Sequence, residues 1–199
     1  METLTTLGLA MGTAWTSGIN LYATVAILGL LEKFGATKLP GDLHMLGENN
    51  VIAVAVFLYL IEFFADKIPY LDNVWDALHT FIRVPAGAVI AYGATNQMDP
   101  TILYIATLLG GGLALSSHGT KSGVRMGANV TPEPFSNWFL SITEDILAFV
   151  GVILAVFFPI VIIIFLVLFL IFFVWFAPKV WVRSKAVFQK AKGIFQKYR

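Results

Sequence analysis

The sequence predicts an all-α fold: a polytopic membrane helical bundle of about six spans, with broken or re-entrant helices. Apolar residues make up 58% of the chain and charged residues only 13%, whereas a soluble domain carries about 25% charged residues. The mean hydropathy is +0.80. Several apolar runs also reach the ~20 residues that a helix needs to cross a bilayer. This composition leaves too few charges to cover a surface that faces water.

Six apolar segments follow one another along the chain. They cover residues 5–31, 51–69, 78–95, 101–118, 137–157 and 160–177. Thr-Ser-Gly at 16–18 interrupts the first segment, Pro85 lies inside the third, and the fourth contains consecutive glycines at 110–112. The last segment is apolar on every side, so we expect it to face lipid.

The charged residues are distributed unevenly. Residues 1–178 are predicted to form a single transmembrane domain. Residues 179–199 hold seven of the thirteen basic residues and no acid, which predicts a basic amphipathic cytoplasmic tail. Such a tail is typical of a helix that lies on the membrane and binds anionic lipids, and equally of a solvated positive-inside segment. Nucleic-acid binding is not expected, because no recognition module accompanies the charge.

Loop charges predict the orientation of the bundle, because short cytoplasmic loops carry an excess of Lys and Arg. If both termini lie in the cytoplasm, the loops on the outside hold only Lys33 and Lys38 as basic residues. The opposite orientation would place nearly all of the positive charge outside. We therefore expect both termini to be cytoplasmic.

A faint internal similarity accompanies this plan. TSGINLYA (16–23) resembles KSGVRMGA (121–128), and each segment precedes an apolar segment that carries an acid. With three spans in each half, the halves would form an inverted 3+3 repeat, as in many transporters. Chance similarity explains the few identities equally well.

Four acids lie inside apolar segments. Glu62 is roughly 16 Å into the second segment at 1.5 Å per residue, and Asp66 follows it on the same helix face. An ionised carboxylate at that depth costs ~2.5 kcal/mol or more unless it is paired, hydrated or protonated. In the fifth segment we expect Glu144 rather than Asp145 to point inward, because Ser141 shares its face. Glu62, Asp66 and Glu144 are predicted to face the protein interior or a water-filled cavity.

A stripe of polar residues begins before the third segment. Asp72, Asp76, His79 and Arg83 recur at helical spacing, so they share one face of a helix. This pattern is typical of an interfacial helix with solvated charges, and equally of a polar seam that continues from the membrane acids. Asp76 and His79 also have the spacing of a metal-binding pair, although one pair leaves any metal unknown.

Further cations follow the fourth segment. His118, Lys121 and Arg125 lie among glycines, and with Lys67 they are candidate charge partners of the acids or a cytoplasmic gate. Lys121 and Arg125 are equally suited to binding an anion or a lipid phosphate through a flexible backbone. The spacing of a P-loop is absent. No enzyme or cofactor is predicted, because the chain has no cysteine and no nucleophile elbow or triad order.

The interrupted first segment places polar groups at membrane depth. Ser17, Asn20 and Tyr22 lie at or just after the break. Broken helices expose backbone groups that bind a substrate or an ion, which makes these residues candidates for the same site as the acids. Close packing of a neighbouring helix against Gly18 explains the break equally well.

Five motifs resemble a family of bacterial integral-membrane proteins that is known as a domain of unknown function. They are SGINLY, EFFADKIPYLD, LHTFIRVPAGA, SHGTKSGVR and TPEPFSNWFLSITED, and together they extend over residues 7–159. The resemblance implies a small polytopic protein of the bacterial cytoplasmic (inner) membrane, and it brings no activity. The overall plan is also loosely similar to that of polyprenyl-phosphate flippases of the DedA type, but the motifs do not match residue by residue.

We therefore expect a small membrane transporter or channel-like permease whose intramembrane carboxylates bind a cation or a coupling proton. The chain is small for a transporter, which favours a homodimer or another homo-oligomer. The alternative is a lipid-handling, flippase-like or scaffold protein, in which the basic groups hold anionic lipids and the intramembrane ion pairs are structural.

Overall fold

The structure, a computed structural model, describes the backbone of residues 2–68, 71–128 and 134–197, and the side chains of the same residues except 73, 134 and 180–197. In these ranges the chain forms seven α-helices and one 3₁₀-helix, without a strand. The first four helical elements are α1 (Glu2–Ile19), α2 (Leu21–Lys33), the 3₁₀-helix (Gly41–Gly47) and α3 (Asn49–Ala65). The others are α4 (Leu71–Thr95), α5 (Pro100–Ala128), α6 (Pro134–Phe157) and α7 (Pro159–Lys197).

Three helices are long and apolar enough to cross a membrane, namely Pro100–Ala128, Phe135–Phe157 and Pro159–Lys179. The 3₁₀-helix and α3 form a fourth candidate that is bent by 73°. These findings confirm an all-helical bundle with several candidate spans. By length and composition, three to four spans are found in the described ranges, fewer than the six predicted.

The first predicted segment is a hairpin and not one interrupted crossing. Helix α1 starts beside the junction of α6 and α7, where the backbone of Gly8 packs against Pro159. The chain leaves helical geometry at Asn20 (φ −145°, ψ 99°), after the predicted break at 16–18. Helix α2 then returns, since Gly29 packs against Leu46 of the 3₁₀-helix. We call the end of the bundle that holds Asn20 the tip end, and the end that holds the 3₁₀-helix the loop end.

Helices α1 and α7 run in the same direction. They lie side by side from Gly8 and Pro159 onward, and Trp15 makes edge-to-face contacts with Phe165 and Phe169 at centroid distances of 4.9 and 5.2 Å. The first turn of α1 is therefore at the loop end, whereas α7 leaves toward the tip end. The side of the membrane on which each terminus lies stays a prediction.

The two similar segments, TSGINLYA and KSGVRMGA, differ in their helices: the first spans the end of α1, Asn20 and the start of α2, whereas the second lies within α5. Ala14 approaches Gly110, and four residues further on Gly18 approaches Ala114, so α1 and α5 are parallel at their contact. An inverted repeat would place equivalent helices in opposite directions. The inverted repeat is therefore not confirmed.

Glycines bring α4 and α5 into backbone contact. A Cβ atom built on Gly110 would lie 2.5 Å from Ala91 Cβ and 2.7 Å from Gly87 O. A Cβ on Gly87 would lie 2.4 Å from Ala114 Cβ. Small residues allow such close packing of membrane helices, where dispersion contacts replace the hydrophobic effect as the driving force. This contact sets the spacing of the helices that carry most of the buried charges.

Two helices extend beyond their predicted segments, and both extensions carry charges. Helix α4 begins at Leu71 and not at residue 78, so it includes Asp72 and Asp76. Helix α5 continues to Ala128 and not to residue 118, so Lys121 lies on a helix although glycines surround it. The glycine-rich segment is therefore not the flexible anion-binding loop that its composition indicated.

The basic tail continues the last helix. Helix α7 extends to Lys197, and Lys179 Nζ lies 2.9 Å from the ring centroid of Trp175. The other basic side chains of the tail lie outside the residues whose side chains are described. Binding of anionic lipids by this tail remains a prediction.

Candidate functional site

Eight charged side chains meet near the tip end, and we call them the ion-pair network. None of these residues is more than 8% exposed. They come from the end of α3, the first half of α4, the last part of α5 and the first half of α6. They are Glu62, Asp66, Asp72, Asp76, Arg83, Lys121, Arg125 and Glu144.

Lys121 is at the centre of the network. Its Nζ atom lies 3.2 to 3.5 Å from five oxygen atoms, which we call the ammonium cage. The cage consists of Ile19 O (3.2 Å), Asp66 Oδ2 (3.2 Å), Glu144 Oε2 (3.4 Å), Glu62 Oε1 (3.5 Å) and Asp76 Oδ1 (3.5 Å). These oxygens belong to residues of α1, α4 and α6 and of the C-terminal end of α3, so a single ammonium group joins all four helices to α5.

Arg125 is the second cation and is fully buried. Its Nε donates to both carboxylate oxygens of Glu144, at 2.9 and 3.2 Å, and its Nη2 also contacts Glu144. Nη1 donates to Asp66 O at 3.0 Å and lies 3.4 Å from Asp72 Oδ2. The guanidinium therefore binds α6 in a forked geometry and also holds the connection between α3 and α4.

Arg83, the third cation, links α4 to α3 and to α5. Its Nη2 donates to Glu62 Oε1 at 2.5 Å, and its Nη1 lies 3.2 Å from Asp76 Oδ1. Nη1 is also 3.0 Å from His118 Nδ1. Because a guanidinium only donates, that nitrogen must be the acceptor of a neutral His118. The proton of His118 is then on Nε2, which donates to Thr80 Oγ1 at 2.7 Å.

The end of α1 explains part of this arrangement. The last carbonyls of a helix have no partner within it, and they form the negative end of the helix dipole. Gly18 O lies 3.5 Å from Arg83 Nη1, and Ile19 O lies 3.2 Å from Lys121 Nζ. The break in the chain leaves these backbone oxygens to cations of the protein itself, and Gly18 also packs closely against Ala114 and Ser117 of α5, so both explanations of the break find support.

Asn20 and Asp145 connect the hairpin to α6. The side chain of Asn20 caps α2 by accepting from Ala23 N at 2.9 Å, and its Nδ2 donates to Asp145 Oδ1 at 3.0 Å. Sequence reasoning missed Asp145, because neighbouring acids on a helix point about 100° apart and only Glu144 was expected to face inward. The sequence shows Asn20 as a polar residue at membrane depth, but it does not show that Asp145 on α6 is its partner.

Replacement of Asn20 by alanine should destabilise the protein by about 2 kcal/mol, because it removes both a helix cap and a buried hydrogen bond. Asn20→Ser keeps a capping oxygen and should lose about half as much. Thermal unfolding of the purified variants in detergent measures the difference. Equal stability of Asn20→Ala and wild type would show that the break does not depend on this side chain.

His79 and Tyr22 form a separate contact between α2 and α4. His79 Nδ1 lies 2.8 Å from Trp75 O and donates to it, so Nε2 accepts from the Tyr22 hydroxyl at 3.0 Å. The ring of His79 also stacks on that of Trp75, with a centroid distance of 4.2 Å. With both nitrogens engaged, His79 does not form a metal pair with Asp76. Among the described residues no group of three or more His, Asp or Glu is placed to hold a metal ion.

Two further candidates lie outside the cage. Ser17 Oγ donates to Ala14 O at 2.7 Å and packs where α1 crosses α4 and α5. Lys67 is only partly buried, and its Nζ donates to Ser141 Oγ at 3.1 Å. The structure thus brings Glu62, Asp66, Glu144, Asp76, Arg83, Lys121 and Arg125 together, with His118 and Asn20 adjacent, and it places Ser17, Tyr22, His79 and Lys67 apart.

The charges of the network do not balance. Five carboxylates face three cations, which leaves two formal negative charges if every group is ionised. Glu62 Oε2 and Asp66 Oδ1 are buried and have no hydrogen-bond partner among the described residues. Because an uncompensated buried charge is costly, the network has the capacity to take up protons or a cation.

The chain belongs to a family described as a domain of unknown function (DUF4126), whose model matches residues 7–179. The match therefore includes most of the last apolar helix, which the sequence motifs did not reach. Neither the curated proteins nor the solved structures contain a match to the chain. The family itself assigns no activity, so the function must be argued from the ion-pair network.

Proposed function

We propose that this member of a family of unknown function is a small membrane transporter or channel-like permease that binds a cation or a coupling proton at its buried carboxylates. Two buried carboxylate oxygens that have no hydrogen-bond partner among the described residues, Glu62 Oε2 and Asp66 Oδ1, carry this proposal. They add to an excess of carboxylates over cations among the described residues around them. Ions that enter from solution would neutralise this excess, and a low-dielectric surrounding makes the attraction stronger than it is in water.

Glu62 is the residue that we assign to ion or proton binding. It is 0% exposed, its Oε1 is shared by Arg83 and Lys121, and its Oε2 has no partner among the described residues. Asp66 and Glu144 would share the bound charge. The basic groups would act as counter-charges that reduce the repulsion among the carboxylates when no ion is bound.

Helix α3 is the element that we expect to move. Only four of its residues are buried, namely Ile52, Ala55, Glu62 and Ala65. At the tip end, Glu62 and Asp66, the residue just after the helix, form the ion pairs that join α3 to α4 and α5. A proton or cation on Glu62 would weaken the attraction to Arg83 and Lys121, so occupancy of the site would be coupled to release of α3.

The orientation that follows places the tip end in the cytoplasm of a bacterium. Lys67 lies at that end, and α7 continues from it with the basic segment as far as Lys197; cytoplasmic loops are rich in Lys and Arg. With α1 and α2 as a hairpin, helices α3 to α7 would cross the membrane and the N-terminus would lie outside. A homodimer remains our expectation for a transporter of this size.

Ion flux into proteoliposomes tests the function. We expect wild type to conduct protons or one of Na⁺, K⁺ and Mg²⁺, and Glu62→Gln to lose at least tenfold of that flux, since Gln keeps the shape of Glu but not its charge. Glu48→Gln is the matched control, because Glu48 is exposed at the loop end. Each variant is first shown to be folded and monodisperse.

A Cl⁻ flux alone, or flux that Glu62→Gln leaves unchanged, would contradict a carboxylate site. No flux of any of these ions or of ammonium would favour the lipid-handling alternative. That alternative now depends on the tail, because Lys121 and Arg125 are paired with carboxylates and at most 5% exposed, so lipid headgroups do not reach them in this conformation.

A further inference from the structure

The ammonium cage has the dimensions of a site for one kind of cation. Hydrogen bonds between a charged nitrogen and a carboxylate are usually 2.7–2.9 Å long, whereas the five oxygens around Lys121 Nζ lie at 3.2 to 3.5 Å. An ammonium group has only three N–H donors. Nζ is therefore centred among more acceptors than it can bind, as an ion is centred in a coordination shell.

These distances select against small divalent ions. Mg²⁺ requires oxygens at 2.0–2.1 Å and Ca²⁺ at 2.3–2.6 Å, so every ligand of the cage would have to move inward by more than about 1 Å for Mg²⁺ and by more than about 0.5 Å for Ca²⁺. An ammonium nitrogen already fits the cage at its observed size. The chemical class that the cage suits is therefore the ammonium ion or the primary ammonium group of a small organic cation.

The cage also has unused capacity. Glu62 and Asp66 each contribute one oxygen to it, and the second oxygen of each, Glu62 Oε2 and Asp66 Oδ1, is buried without a partner among the described residues. Glu62 is 0% and Asp66 3% exposed. Buried acceptors of this kind normally have a donor. They are acceptors that the one lysine does not satisfy.

We propose that the ammonium cage is the cation site of this protein, that its substrate is an ammonium ion or a small primary ammonium compound, and that Lys121 is a tethered occupant which the substrate displaces. The transport step rests on the proposed function, whereas binding by the cage does not. Exchange of one ammonium group for another keeps the charge of the site constant, which avoids the desolvation cost of adding a charge.

The test removes the tethered occupant and offers a free one. Lys121→Ala lacks every side-chain atom beyond Cβ, and n-propylammonium has the same three carbons and nitrogen. We expect n-propylammonium to raise the melting temperature of detergent-solubilised Lys121→Ala by about 5 °C at concentrations roughly a hundredfold above its Kd. Wild type should respond more weakly, because the tethered Lys121 competes with the free cation for the cage. Lys38→Ala, which removes an exposed lysine at the loop end and keeps Lys121, should respond no more than wild type.

Two further compounds test whether binding requires the positive charge and the N–H donors of the ammonium group. The uncharged n-propanol should not stabilise Lys121→Ala, and tetramethylammonium should not, because it has no N–H group to donate. If Lys121→Ala is not recovered in ordinary buffer, it is expressed and purified with n-propylammonium throughout. Recovery with n-propylammonium but not with n-propanol supports the proposal. No stabilisation, equal stabilisation by n-propanol, equal stabilisation of Lys38→Ala, or no recovery under either condition overturns it.

This readout is independent of transport. Stabilisation of Lys121→Ala without flux of ammonium, n-propylammonium or any of the other cations in wild type would keep the cage as an ammonium site and contradict the transporter. Flux that Glu62→Gln abolishes, without stabilisation of Lys121→Ala, would keep the transporter and remove the cage as its ammonium site.

Discussion

Arg125→Met should abolish stable folding of this protein. Arg125 is 0% exposed and is the forked partner of Glu144, which also contacts Lys121. Its loss leaves Glu144 with the ammonium alone and weakens the neutralisation of Asp66 and Asp72. Breaking a buried ion pair by removing one partner costs about 3–5 kcal/mol, which is a large part of the 5–15 kcal/mol that stabilises a typical protein.

Thermal unfolding and fluorescence-detected size exclusion in detergent measure this effect. Arg125→Lys retains the charge but not the fork, so we expect an intermediate stability. The double variant Arg125→Met/Glu144→Gln removes both charges and should be more stable than Arg125→Met alone. If Arg125→Met unfolds within about 1 kcal/mol of wild type, Arg125 is not a structural member of the network, and the charge balance argued above is wrong.

Gly110→Leu should prevent α4 and α5 from packing, whereas Gly112→Leu in the same helix should be tolerated. A Cβ on Gly110 would already overlap Ala91 and the backbone of Gly87, while nothing lies within 4 Å of a Cβ on Gly112. Overpacking of a closed contact costs about 1–3 kcal/mol and at times more. We expect at least the upper end of this range, because the overlap is with backbone that cannot rotate away.

The same pair of variants also reports on the site. The contact of Gly110 with Gly87 lies beside the network, so separation of α4 from α5 would move Arg83 away from His118. Gly112→Leu replaces an exposed glycine and should increase stability by about 1 kcal/mol, because leucine has the higher helix propensity. Equal yields and equal melting temperatures of the two variants would contradict the backbone contact.

The burial of the acids could be predicted from sequence, but their partners could not. Glu62, Asp66 and Glu144 were expected inside the protein because an exposed charge in lipid is costly, and all three are at most 8% exposed. The polar stripe on α4 allowed a solvated helix or a buried seam. In the structure this stripe is a buried polar seam and not a solvated face, since Asp76 and Arg83 are almost fully buried.

Local signals also misplaced several boundaries. Glycines around Lys121 indicated a loop, since glycine lowers helix stability by about 1 kcal/mol per residue. The segment is helical in the structure, and its five-oxygen cage compensates for the poor propensity. Thr-Ser-Gly indicated a break that actually follows at Asn20, where the side chain supplies the cap.

Composition and periodicity by themselves determined that this chain is an all-helical membrane protein with buried acids, because both properties depend on transfer from water to lipid and act residue by residue. Only the tertiary structure decided that residues 2–33 form a hairpin, that Lys121 is the centre of the network, and that Asp145 accepts a hydrogen bond from Asn20. Lys121 and Ile19 are 102 residues apart in sequence, and Asn20 and Asp145 are 125 residues apart. Contacts between residues so far apart depend on how the helices pack. The glycines that set this packing are uncharged, so the charge pattern of the sequence does not indicate which helices meet.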